Sequence, residues 1–178
     1  QVIIAIQQIL CLYADTRIPS VVSWGRIIGN GATNVSPEEV RLDGTFRTFD
    51  EAWRAEAHEK MTKMVVGIVE GMGATCDFKI DKGYPFLVNE PQTTNAARAH
   101  AEAYLGKENV LELDLWPAAE DFAYYSQETN ACFYRLGTGN KARGITSAVH
   151  TPTFDIDETA IETSIGLMSY IALKSLEG

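Results

Sequence analysis

Apolar residues recur at helical spacing from the first turn of the chain. Ile3, Ile6, Leu10 and Tyr13 share one face, so a helix is predicted there, ending before Arg17-Ile18-Pro19. SVVSWGRIIG then alternates, with Val22, Trp24 and Ile28 on every second position, and reads as a strand. After the Gly- and Asn-rich loop GNGATNVSP, a second strand places Val40, Leu42, Gly44 and Phe46 on one face and Arg41, Asp43, Thr45 and Arg47 on the other. Asp50 is suited to cap a long helix whose stripe is Trp53, Ala57, Met61, Met64, Val65, Ile68 and Met72, with Gly73 as its stop. Cys76, Phe78 and Ile80 predict a third strand running to the turn Gly83-Tyr84-Pro85.

The texture changes after Phe86. Asn89-Glu90-Pro91 opens a helix carrying Ala97, Ala101 and Tyr104 to Gly106, and Val110 to Leu113 reads as a short strand or extended piece. WPAAEDFAYYSQ reads as a loop entering a short helix, and ACFYRL (131–136) as a buried strand running into GTGNKARG. Past the VHTP loop, Asp155 with Glu158 suggests a capping box for a last helix with Ile161, Ile165, Met168 and Ala172 at helical spacing. The class is α+β. The order α-β-β-α-β, with one strand added before Gln1, would make the split β-α-β-β-α-β sandwich of ferredoxin-like type. An uncapped helical opening without Met predicts a piece of a longer polypeptide. The boundary is placed near residue 86, and the second half is expected to find sheet partners upstream of Gln1.

Composition narrows the possible partners. The chain has 178 residues, one domain or two small ones, and a formal charge of -9, which argues against a nucleic-acid surface. No apolar run is long enough to span a bilayer and no signal-peptide pattern is present, so no membrane partner and a cytoplasmic location are expected. Cys11, Cys76 and Cys132 lack metal or disulfide spacing and read as buried thiols of a reducing compartment.

Few residues suggest chemistry by position. His150 sits on a loop held by Pro152, either as a metal ligand or catalytic group or as a loop histidine bonded to backbone. Glu120 and Asp121 are a carboxylate pair that could cap a helix or serve an active site. Asn34 suits a turn, and Arg47 a surface charge or a carboxylate clamp. His58 and His100 lie off their helices' apolar stripes and read as solvated, with no second histidine at i+4. GTGNKARG lacks the lysine-hydroxyl ending of a phosphate loop, and no G-x-S-x-G elbow is present.

Taken together, the motifs are more specific. GRIIGNGATNVSPEEVRLDGTFRTFD resembles the lid-domain signature of the metal-dependent amidohydrolases that include hippurate hydrolase, IAA-amino acid hydrolase and N-acyl-amino-acid carboxypeptidase. KGYPFLVNEP is similar to the junction where that lid returns to the catalytic domain. AAEDF, FYRLGTGN and VHTPTFDIDE are similar to later catalytic-domain motifs, in the same order.

The resemblance implies a lid and dimerisation domain over 1–86, a ferredoxin-like α/β sandwich without its first strand. Residues 87–178 would be the C-terminal segment of an α/β zinc-peptidase-like catalytic domain. It makes His150 the last metal-binding histidine, Asn34 and Arg47 substrate-binding lid residues, and Glu120 an acidic catalytic residue near the active-site floor. Two divalent ions (zinc, manganese, cobalt or nickel), an N-acyl amino acid or small peptide substrate and a homodimer through the lid follow from it. The family's remaining ligands and general base precede this stretch, so these residues alone are expected to hold no metal and to hydrolyse nothing. Ala118-Ala119 replaces the family's Gly-Gly and Ser36 its Ile. The rival readings are a non-enzymatic ferredoxin-like dimerisation or ligand-binding module, and an aminopeptidase or dipeptidase of the same superfamily.

Overall fold

The computed structural model describes residues 1–177. Two compact units emerge, Gln1–Phe86 with Trp116–Asp121, and Leu87–Leu115 with the chain from Phe122 onward. The class is α+β, helices with one small sheet.

In the first unit, α1 (Val2–Tyr13) and α2 (Glu51–Gly71) pack with an antiparallel pair, β1 (Ser20–Ile28) and β2 (Arg41–Thr48). Asp50 caps α2 as its sequence predicts, its carboxylate accepting the Trp53 N–H at 2.7 Å. The other end stops at Gly73, φ +81, where the N–H groups of Gly73 and Ala74 donate to the Glu70 and Val69 carbonyls at 2.9 and 3.1 Å. Trp53, Ala57, Met61 and Val65 are buried, whereas Met72, at the end of the expected stripe, is 70% exposed. From α1, Ile6 of the expected series is buried and Leu10 packs half-buried on the core, but Ile9, outside the series, is the wholly buried residue, and Tyr13 lies outside beneath the Lys60 ammonium at 4.2 Å. That helix is apolar on more than one side, so contact with α2 rather than periodicity selects its inner face.

The strands pair from Ser20↔Thr48 to Trp24↔Gly44, slip by one residue, and resume at Arg26↔Asp43. A β-carbon on Gly44 would stand 2.8 Å from the Ser23 carbonyl oxygen and 3.0 Å from the Trp24 ring. The indole therefore fills the space of its cross-strand neighbour's missing side chain.

The expected strand at Cys76–Ile80 does not form. Its burial still alternates, Cys76, Phe78 and Ile80 half-buried and Asp77 and Lys79 exposed, and Cys76 and Phe78 pack on the core. Side chains can obey the period of two while the ladder is missing, because a ladder needs a second backbone beside it.

In the second unit, Glu90 caps α3 (Pro91–Leu105), accepting the N–H groups of Gln92 and Thr93 at 3.0 and 2.6 Å; these bonds lower its pKa. α3 packs on α5 (Thr159–Leu176), where Tyr104 meets Tyr170 with ring centroids 5.5 Å apart. The stripe expected to face inward on α5 is outside: Ile161, Ile165, Met168 and Ala172 are exposed, and Leu167 is the buried residue. Contact with α3 runs along smaller and aromatic positions instead, Gly166 lying against Tyr104.

Residues 131–136 likewise form no strand. The Phe133 N–H donates to Asn89 Oδ1 at 2.7 Å and its carbonyl accepts from Asn89 Nδ2 at 2.9 Å, so one amide side chain takes the place of a neighbouring strand. Cys11 is exposed and Cys76 and Cys132 are half-buried, correcting the expectation of buried thiols. No described helix is long and apolar enough to cross a membrane.

Candidate functional site

The loop that carries His150 leaves the glycine-rich segment at Asn140 and rejoins the fold at Asp157. Asn140 and Ile145 exchange backbone hydrogen bonds of 2.9 Å around a 3-10 turn at Lys141–Arg143, closed by Gly144 at φ +75. Asp157 is 6% exposed. Its Oδ1 accepts from Arg143 Nη1 at 2.9 Å, the Thr159 N–H at 3.1 Å and the Thr159 hydroxyl at 2.9 Å, and its Oδ2 accepts from the Asn140 amide. The Asp157 N–H donates to the Thr138 carbonyl at 2.8 Å. The Asn140 bond, then those from Thr159, with help from the Arg143 charge, lower the carboxyl pKa to about 2 against the opposing effect of burial.

Asp157 thus does the work expected of Asp155. The Asp155 carboxylate accepts the Ile156 N–H instead, and Glu158, helical itself, makes no side-chain cap bond. Two sequence signals could have revealed the anchor: an Asp two residues before a Thr at a helix start, and an Asn following a glycine loop.

At the loop's tip His150 is exposed, with φ +65, the sole non-glycine residue at positive φ among those described. This left-handed backbone is strained, of order 1–3 kcal/mol, although histidine tolerates it better than most residues. Local bonds brace it: the Thr151 hydroxyl donates to the Ala148 carbonyl at 2.8 Å, and the Ser147 and Thr153 hydroxyls meet at 2.8 Å. The ring is not walled in by hydrocarbon.

Asn34, Arg47 and Glu120 belong to the first unit, and His150 to the second. Asn34 is exposed in a tight turn closed by Ala32 and Val35, whose backbones exchange bonds of 2.9 and 3.1 Å. Arg47 is exposed on β2, and its Nη1 donates to the Pro117 carbonyl at 2.8 Å. The arginine therefore tethers the segment that bears Glu120, a role neither of its expected readings included. Glu120 is half-buried. The short helix α4 (Ala123–Glu128) begins just after the carboxylate pair and has no side-chain cap bond.

The other histidines differ from the solvated reading. His58 is half-buried, edge-on to Phe46 at 6.1 Å; burial, then the charges of Arg54 and Lys82, lower its pKa against the pull of Glu51. His100 is half-buried, edge-on to Tyr170 at 6.5 Å. Among the described residues no group of three or more His, Cys, Asp or Glu side chains is gathered where it could hold a metal. His150 offers one imidazole, where a bound divalent ion takes about three protein ligands.

A family model described as peptidase family M20/M25/M40 matches residues 13–174. The chain belongs to this family. An N-acetylcysteine deacetylase of Bacillus subtilis is 30% identical over 177 residues, 99% of this chain and 45% of that protein. An IAA-amino acid hydrolase of Arabidopsis thaliana is 30% identical over 183 residues, covering 98% of this chain and 41% of that protein. A Bacillus subtilis crystal structure, described as a dinuclear metal binding peptidase from the M20 family, superposes with a TM-score of 0.70 at 31% identity, covering 98% of this chain and 46% of that one. This M20/M25/M40 chain spans less than half the length of these relatives.

Proposed function

We propose that this chain is part of a dinuclear-metal amidohydrolase that cleaves the amide bond of N-acyl amino acids. In this reading residues 1–86 are the ferredoxin-like lid through which two copies associate, and residues 87–178 belong to the catalytic domain. Asn34 and Arg47 bind the substrate's carboxylate or amide, and Glu120 serves as the acidic residue at the active-site floor. His150 is one ligand of a divalent ion, zinc first and manganese, cobalt or nickel as alternatives, and the location is cytoplasmic. The observation that carries the reading is His150 itself, an exposed imidazole on a strained backbone at the tip of a braced loop, in a chain of this family. Relatives named for deacetylation of N-acetylcysteine and hydrolysis of IAA-amino acids favour N-acyl substrates.

The non-enzymatic module predicts a self-contained second half without much exposed apolar surface. The exposed Ile161, Ile165, Met168, Leu173 and Leu176 of α5 count against it.

The test uses the whole polypeptide containing these residues, loaded with Zn2+ and assayed for release of amino acids from their N-acyl derivatives. His150→Ala should lower bound metal by about one ion per chain and turnover by at least about a hundredfold. Full metal content and turnover in that variant would remove His150 from the site.

A further inference from the structure

The geometry points to Asp157 as the positioning residue for His150, fixing the backbone of its loop from the buried neck. This rests on the proposed reading for its purpose, though not for its geometry. A simple cap for α5 would need only the Thr159 bonds. Asp157 makes two more that a cap does not require, to the Asn140 amide and the Arg143 guanidinium, 17 and 14 residues earlier in the chain. Its own N–H reaches back to the Thr138 carbonyl. These bonds draw both arms of the neck together on one carboxylate that is almost wholly buried. Bonds to a buried ionised group are stronger than those between neutral groups, so the neck is the stiff part of the loop.

The tip is held more lightly. Ser147 with Thr153, Thr151 with Ala148, and the Phe154 N–H with the Thr151 carbonyl at 3.1 Å brace it internally. A left-handed conformation at a non-glycine residue persists only when its surroundings over-determine it. With the neck pinned, the bracing holds His150 at φ +65. With the neck released, the tip can relax to unstrained backbone and the imidazole loses its fixed direction. Coordination tolerates little such freedom, since ligand groups must be held to within about half an ångström.

The test is 15N relaxation of the 178-residue chain, without metal or substrate. Asp157→Asn sets two amide donors against each other at position 140. The double variant Asn140→Asp/Asp157→Asn restores a donor facing an acceptor. In the parent chain the backbone order parameter at His150 should be about 0.8 and should fall below about 0.6 in Asp157→Asn. The double variant should bring it back, and the α3 signals should stay unchanged throughout. An unaltered order parameter in the single variant overturns the inference. So does failure of the double variant to restore it while α3 keeps its signals, since a neck pairing would have been rescued. If Asp157→Asn unfolds the helices, Arg143→Leu replaces it, removing one neck bond from an exposed side chain, and an unaltered tip there is equally decisive. The hydrolase reading is tested separately through metal content and turnover, so either can fail alone.

Discussion

The two units are held together by different forces. In the first, Ile6, Ile9, Trp53, Ala57, Met61 and Val65 form one buried cluster, with Val22, Trp24, Phe46, Cys76 and Phe78 packed around it. Each large side chain buried in this way contributes roughly 1.5–3 kcal/mol. In the second, the buried apolar residues are Ala97, Ala123, Ala131 and Leu167, and much of the larger hydrocarbon lies outside. Polar anchors take over there: Glu90 on α3, Asn89 on Phe133, and Asp157 at the loop neck. One unit is ordered by packing and tolerates polar change at its surface. The other is ordered by a few side chains whose exchange for apolar ones strands backbone groups.

The strongest way to break this contrast is Trp53→Ala. It removes a ring 6% exposed whose Nε1 donates to the Ser20 hydroxyl at 3.2 Å. A cost of about 3–5 kcal/mol is expected, enough to unfold the first unit, read by urea denaturation while the NMR signals of α3 and α5 persist. Collapse of both sets of signals together would mean that the units do not fold independently. A smaller effect tests the polar half: Asn89→Ala leaves the Phe133 N–H and carbonyl without their partner and should cost about 1–3 kcal/mol, read by hydrogen exchange at Phe133. Least of all, Ile165→Ser, at a position 64% exposed, should change the stability of this chain by no more than about 0.5 kcal/mol in the same urea titration. A large loss there would show that the outer stripe of α5 is covered in solution.

Legibility in the sequence followed the same division. Where a structure is set locally, the residues announced it: the Asp50 cap, the Gly73 stop, the β1–β2 pair and the Glu90-Pro91 helix start all stand where spacing and capping chemistry put them. Where structure depends on a neighbour, periodicity misled. Residues 76–80 and 131–136 have the composition of strands, but no second strand among the described residues lies alongside, and α1 and α5 turn inward the side that another helix happens to meet. Of the candidate site, His150, Asn34, Arg47 and Glu120 could be nominated individually. At the Asp157 neck the local signals mark Asp157 and Asn140 separately but not their meeting, because Asn140 and Arg143 are remote from Asp157 in sequence and the nearby Asp155 offered a more familiar capping pattern.

Gly44 has a consequence beyond its own strand. Any larger residue there would press against the Ser23 carbonyl, a backbone atom that cannot swing aside, and against the indole lying over it. The notch therefore admits the tryptophan at one alignment of the hairpin, and a shift by one residue would set the Asp43 or Thr45 side chain opposite the ring. Arg47 lies three residues further along the same strand, paired with Val21, so that shift would bring the guanidinium out on the opposite side of the ribbon, away from the Pro117 carbonyl. The direction in which this arginine points is thus decided by an absent side chain.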